Sequence, residues 1–366
     1  MTKRERVERT MERKEVDRIP IYDLLRCDSA MEYFSGEKIP PLSKDPQLEE
    51  KLLRIVGRGV DKLLDMTRSV GFGPVVEEDT TDIYGFVYHS NPKEKTTWIA
   101  KRPFRDEEGA IAFIKKRIKG LEEEIESIKK EGDAYREKYH RDFLKIQSAI
   151  GDTVNLLAQD GTGLDDLNHL LGLELFSYIL ADEPAWISEF MEVYTARNIT
   201  ICHIIADKNL SPCVLTYGDI ACKKRLLYKP DFLRDEFFPR LKKINDAWHH
   251  YGIKCLFHSD GYLMEVMDDL IETGIDGLNP METVAGMDIK EIKEKYGERI
   301  FLTGGIDMSQ LLSLGTPEEV KEVCRRAIRD TYPGYFIGST TELDNSAKLE
   351  NIIAMYEVVY YEGVSG

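Results

Sequence analysis

The stretch Phe257-His258-Ser259-Asp260-Gly261 sets an imidazole and a carboxylate two residues apart at the end of the apolar run Lys254-Cys255-Leu256-Phe257. In an extended strand, residues i and i+2 share a face, so His258 and Asp260 would be presented together, as acid–base work or metal ligation requires. A lone histidine at a strand end is as often a hydrogen-bonded structural residue. A second stretch, Phe301-Leu302-Thr303-Gly304-Gly305-Ile306-Asp307, ends a buried run on paired glycines. Such glycines let backbone approach a ligand closely, and they also simply permit a tight turn. The chain has no G-x-G-x-x-G, Walker loop, G-x-S-x-G elbow or H-E-x-x-H helix, so the dinucleotide, P-loop, serine-hydrolase and zincin classes lose their signatures.

Eight short apolar segments bounded by Gly, Pro or Asp could position these groups: 20–26, 60–66, 144–151, 213–219, 254–260, 275–282, 300–307 and 334–340. From Cys213 onward, helical stretches separate them in regular alternation, at Pro230–Tyr251, Tyr262–Thr273, Asp288–Tyr296 and Thr316–Thr331. That rhythm predicts a parallel sheet, and eight strands allow it to close as an α/β (β/α)8 TIM barrel. Polar residues cluster where the strands end: Asp23 and Arg26, Asp65, Asp219, His258 and Asp260, Asn279 and Glu282, Asp307, and Ser339 to Thr341. Barrel strands aim their C-terminal ends at one mouth, so residues distant in sequence would converge there. For any single Asp, an ordinary strand-to-loop transition is the better reading. The whole set favours a site. Tyr22, Trp98 and Phe257 are candidate ring-contacting walls, though each is of a type more often found in cores.

The barrel is expected to be one domain over 1–366, decorated by an insertion at 80–142. Residues 80–104 alternate polar and apolar around Asn91-Pro92 as a hairpin does, and 106–142 read as an amphipathic, mostly exposed helical arm. With 42% hydrophobic and 32% charged residues the chain can bury a sizeable core. Its net charge of −16 argues against a nucleic-acid partner. Six cysteines without a CxxC pair suit reduced thiols, the N-terminus is charged rather than apolar, and no apolar run reaches the roughly 20 residues of a membrane span. A cytoplasmic protein without a membrane partner is the expectation.

The stretch beginning HSDGYLMEVMDDLIETGIDGLNPMETVAGMDIKEIKEKYGERIFLTGGID, continued by LLSLGTPEEVKEVCRRAI and LENIIAMYEVVYY, resembles the uroporphyrinogen decarboxylase superfamily. The N-terminal RERVERTMERKEVDRIP, and the region from Gly218-Asp219 through Pro230-Asp231 to Arg234, are similar too. The resemblance implies a (β/α)8 barrel, often dimeric, so a homodimer is expected. The superfamily holds true decarboxylases as well as methyltransferases that work with corrinoid proteins or methylated thiols.

Departures from the superfamily patterns discriminate between these. The true decarboxylases carry two arginines four residues apart, which pair with porphyrinogen carboxylates; here Arg26 is followed four residues later by Ala30, and the loop 339–346 reads STTELDNS without a late histidine. The thiol-directed methyltransferases hold zinc by His-x-Cys and a distant Cys, where this chain has His258, Asp260 and hydroxyl residues. The resemblance therefore implies a zinc shell of histidine and carboxylates drawn from His258, Asp260, Asp219, Asp235 and Glu236. Such a shell makes zinc a harder Lewis acid, suited to an ether or phenolic oxygen. The implied activity is transfer of a methyl group from a small methoxylated, aromatic compound to a corrinoid carried by a separate protein. His258, Asp260 and Asp219 would be catalytic, and Tyr22, Arg26, Asp65, Phe257, Asn279 and Glu282 would contact substrate. The alternatives are decarboxylation of uroporphyrinogen or a smaller acid, with Arg26 as the anchor, and a catalytically silent binding scaffold.

Overall fold

Alternation along short strands decides the architecture. In the computed structural model, which describes residues 1–363, six parallel strands lie side by side in the order Gln159–Gly161, Cys213–Tyr217, Lys254–His258, Gly277–Asn279, Phe301–Ile306 and Tyr335–Ser339. The remaining positions close the ring. Ile21 bridges Ile337, Tyr22 bridges Met66, and Met66–Thr67 pairs in parallel with Val154–Asn155, whose chain runs on into Gln159–Gly161. Asp23 pins the seam by accepting from Ser339 N at 2.7 Å and Ser339 Oγ at 2.9 Å. The result is the expected (β/α)8 barrel.

Successive side chains of a strand point to opposite faces, so each strand serves two cores. Tyr22, Met66, Val154, Leu156, Cys213, Leu215, Leu256, Phe301 and Phe336 fill the interior, together with Val7 and Met11 from the helix Lys3–Met11. Phe257, Leu278, Leu302, Tyr335 and Ile337 face outward onto the helices. At the N-terminal edge of the strands, Asp65 is fully buried. It accepts from Arg6 Nη1 at 2.8 Å, from Arg18 Nη1 at 2.7 Å and Nη2 at 2.8 Å, and from Ile21 N at 2.9 Å.

Two expected strands are corrected. Residues 60–63 end the helix Pro46–Leu63, because Leu52, Ile55, Val56, Val60 and Leu63 recur three and four apart and are buried as one stripe, leaving only Met66–Thr67 extended. Residues 144–149 end the helix Gly132–Ala149, in which Phe143 is buried and Leu144 is 52% exposed. Strand alternation begins only at Val154.

The insertion carries an antiparallel sheet of Glu78–Thr81, Val87–Asn91 and Thr96–Lys101 rather than a two-stranded hairpin. The expected arm is amphipathic and mostly exposed, divided between the helices Glu107–Lys130 and Gly132–Ala149, with one apolar stripe packed on the rest of the fold. Its helix Glu107–Lys130, capped by Asp106 through Gly109 N, buries Ala110, Phe113, Ile114, Ile118, Leu121, Ile125 and Ile128 and packs against the helix Pro184–Ile205. Among the described residues, no helix is long and apolar enough to cross a membrane, and all six cysteines are free thiols.

Candidate functional site

The strand Lys254–His258 places Leu256 inward and Phe257 outward, so His258 turns inward at the strand's C-terminal end. Gly261 follows at φ +91°, a left-handed conformation that glycine adopts without strain, and a Cβ there would lie 2.6 Å from Cys222 N. The turn carries Asp260 back beside His258. Gly261 N donates to Glu282 Oε2 at 2.8 Å, and Asp260 N donates to Asp219 Oδ1 at 3.1 Å. Asp219 follows the neighbouring strand Cys213–Tyr217 and is held from behind, its own N–H donating to Asp165 Oδ2 at 3.0 Å.

Asp219, His258 and Asp260 each direct one potential ligand atom into a space where these atoms lie within 4.8 Å of one another. His258 Nε2 stands 3.9 Å from Asp260 Oδ1 and 4.0 Å from Asp219 Oδ1. Those separations are too long for hydrogen bonds. They are not ion pairs either, because burial first, and then the charge of Arg68, push the His258 imidazolium down to about 4 against the opposing pull of Asn279 and Asp219. Burial first, then Asp219 and Glu282, push the Asp260 carboxyl up to about 7. Its Oδ1 is buried without a hydrogen-bond partner.

A chain of hydrogen bonds sets the ring's tautomer. Thr303 Oγ1 donates its single proton to Leu278 O at 3.1 Å and therefore accepts from Asn279 Nδ2 at 2.8 Å. Asn279 Oδ1 then faces His258 Nδ1 at 2.7 Å and accepts a hydrogen bond from its N–H, leaving the Nε2 lone pair aimed at the two carboxylates. A neutral nitrogen donor, two carboxylate oxygens, one of them orphaned, and a fixed outer hydrogen bond together fit a divalent cation of zinc's type.

Asn279 and Glu282 thus join the three central residues. Tyr22 lies in the barrel interior, with its hydroxyl buried and unpartnered. Arg26 is half-buried and tied to Glu342 by a 3.1 Å ion pair, so its charge is already committed.

The other expected positions are corrected. Asp65 sits at the opposite, N-terminal edge, saturated by Arg6, Arg18 and Ile21 N. Phe257 packs outward against Phe237, with ring centroids 6.3 Å apart, because it is out of phase with His258 on its strand. Asp235 is exposed, and Glu236 binds Arg240 and Ser188 at 2.7 Å each; both lie on the segment Leu233–Phe237 among the outer helices and fall outside the cluster. Trp98 lies on the insertion sheet against His89.

Arg68 went unremarked in the sequence. Its Nη1 reaches to 3.3 Å from His258 Nδ1, across the barrel from the strand Met66–Thr67. Placing that strand two residues later would have exposed the signal, because Met66 and Arg68 then share the inward face.

Residues 103–361 match the family model for uroporphyrinogen decarboxylase (URO-D). No curated protein matches the chain. Among solved structures, a methyltransferase from Methanosarcina mazei superposes over 97% of both chains with a TM-score of 0.67 and 17% sequence identity, a likeness of fold. A protein from Listeria monocytogenes assigned as a vitamin-B12-independent methionine synthase aligns over 60% of this chain and 69% of its own, with a TM-score of 0.37 and 12% identity.

Proposed function

From the premise that this chain belongs to the uroporphyrinogen decarboxylase family, we propose that it is the methyltransferase component of an O-demethylating system. It takes a methyl group from a small methoxylated, aromatic compound and passes it to a corrinoid carried by a separate protein. The observation that carries this reading is the convergence of His258 Nε2 with Asp219 and Asp260, whose Oδ1 is buried and unpartnered. The fold shared with the Methanosarcina mazei methyltransferase agrees with it.

When the methyl carbon leaves an ether, the electron pair of the C–O bond stays on oxygen, and an electrophile must hold that oxygen. Zinc held by Asp219, His258 and Asp260 would supply this Lewis acidity. The chain's own residues prepare the place. Asn279 keeps the His258 proton on Nδ1, Asp165 and the Asp260 N–H fix Asp219, and Glu282 fixes the turn after Asp260. The interior aromatic residues below exclude water from the floor. Decarboxylation anchored on Arg26 loses its support, since that guanidinium is paired with Glu342.

The test mixes the purified, zinc-loaded chain with a panel of methoxylated aromatics and a reduced cobalt(I) corrinoid protein encoded nearby, and follows the methyl-cobalt(III) spectrum. Its appearance with one of the panel, and its loss together with bound zinc in His258→Ala, is the expected outcome. No spectral change across the panel, alongside release of carbon dioxide from a simple acid, would overturn the reading.

A further inference from the structure

We infer that Arg68 selects a substrate bearing a carboxylate, so that the compound demethylated is a methoxylated aromatic acid and not a neutral ether. This rests on the methyl-transfer reading and names the substrate class of the same site. Arg68 follows Met66 by two residues on the inward face, one layer above the barrel floor, and Gln159 Nε2 holds its backbone oxygen at 3.2 Å. Its guanidinium extends across the mouth to His258.

His258 Nδ1 keeps its proton and donates it in a hydrogen bond to Asn279 Oδ1, so the ring has no lone pair on that side to accept from Arg68 at 3.3 Å. Among the described residues, no carboxylate oxygen lies within 4.0 Å of the guanidinium, in contrast to Arg6, Arg18 and Arg26. Arg68 is half-buried and its donors are left to be met from outside the chain. Its charge reaches Tyr22, Asp23, His258 and Asp260, although burial is the larger influence on each.

A guanidinium presents a planar fork that a carboxylate fills with two parallel hydrogen bonds, a match that a neutral ring substituent cannot make. The Tyr22 hydroxyl, buried and unpartnered on the same inward face, is a further donor for the same group. The acid end of the substrate would thus lie on the side of Arg68, and the methoxy oxygen on the side of Asp219 and Asp260. Without this cation, Glu282 would still disfavour an anion here even with zinc offsetting the charges of Asp219 and Asp260. With it, the anion is the preferred guest.

The experiment compares 3-methoxybenzoate with 3-methoxybenzamide, which keeps shape and loses charge. Calorimetric binding to the zinc-loaded chain and methyl transfer to reduced corrinoid protein are measured for wild type, Arg68→Met and Arg68→Lys. Wild type should bind the acid more tightly than the amide. Arg68→Met should weaken acid binding by about 30-fold, the scale of a lost charge-assisted contact, and bring it level with the amide. Arg68→Lys, which keeps the charge without the fork, should retain part of the preference, and its retention excludes a folding defect as the cause. Equal binding of acid and amide by wild type, or an unchanged preference in Arg68→Met, overturns the assignment of Arg68. Demethylation of the amide without preference for the acid overturns it while sparing methyl transfer. Selective, Arg68-dependent binding of the acid without any methyl transfer upholds Arg68 and sinks the catalytic reading.

Discussion

Replacing Asn279 with alanine should weaken zinc binding without touching any proposed ligand. In the native chain, Asn279 Oδ1 accepts the His258 Nδ1 proton at 2.7 Å, and Thr303 holds the amide in that sense. Without the acceptor, a buried Nδ1–H would go unpartnered, at a cost of about 1–3 kcal/mol. The ring has a cheaper option. Arg68 Nη1 already stands 3.3 Å away and can donate to Nδ1 once the proton has moved to Nε2. In that tautomer, Nε2 has no lone pair for a metal until the ring rearranges. The expected loss is 10–100-fold in zinc affinity, about 1.4–2.7 kcal/mol, in line with outer-sphere substitutions at other zinc sites. A competing chelator reads the affinity at fixed pH, and nitrogen-15 spectra of the metal-free ring report which nitrogen is protonated. Asn279→Asp keeps an acceptor and should hold the native tautomer. Zinc affinity within twofold of wild type in Asn279→Ala, with the proton still on Nδ1, would refute this account of the ring.

Asp65→Ala should cost stability rather than substrate affinity. It strips Arg6 and Arg18 of a fully buried carboxylate, and breaking such a pair typically costs 3–5 kcal/mol, readable as a shift in urea midpoint; a loss under about 1 kcal/mol would disprove the structural role. Asp160 makes stability fall as pH rises. Its burial, only partly offset by the Trp248 indole N–H at 2.8 Å, pushes its carboxyl up from 3.8 to about 6. With the folded value above the unfolded one, Asp160 imposes no penalty below pH ~4, and one that grows to about 3 kcal/mol above pH ~6. Asp160→Asn keeps an acceptor for Trp248 and should flatten that part of the pH profile, leaving the variant more stable than wild type at neutral pH. Parallel wild-type and variant profiles in urea, followed by tryptophan fluorescence, would show the reasoning to be wrong.

The barrel from Cys213 onward was legible because its strands are short apolar runs separated by amphipathic helices, and local periodicity alone separates the two. The first half misled at 60–66 and 144–151, where short apolar runs are the last turns of long helices. There the choice between helix and strand is made by which stripe finds a core to cover.

His258, Asp260 and Asp219 were readable as a group, since residues at the C-terminal ends of neighbouring parallel strands must lie close together. Asp65, Asp235 and Glu236 look no different in sequence from Asp219: each is an acid beside an apolar run. Only the folded chain separates them. Arg6 and Arg18 claim Asp65, Arg240 claims Glu236, and solvent takes Asp235, while Asp260 keeps one oxygen unclaimed. The sequence by itself determined the barrel and the strand ends that must converge. Which charges arrive there already paired was decided by tertiary structure, because Asp65 draws its partners Arg6 and Arg18 from more than 40 residues away, while Arg68 reaches His258 from across the barrel without meeting a carboxylate. Pairing depends on three-dimensional distance, which residue spacing along the chain does not encode.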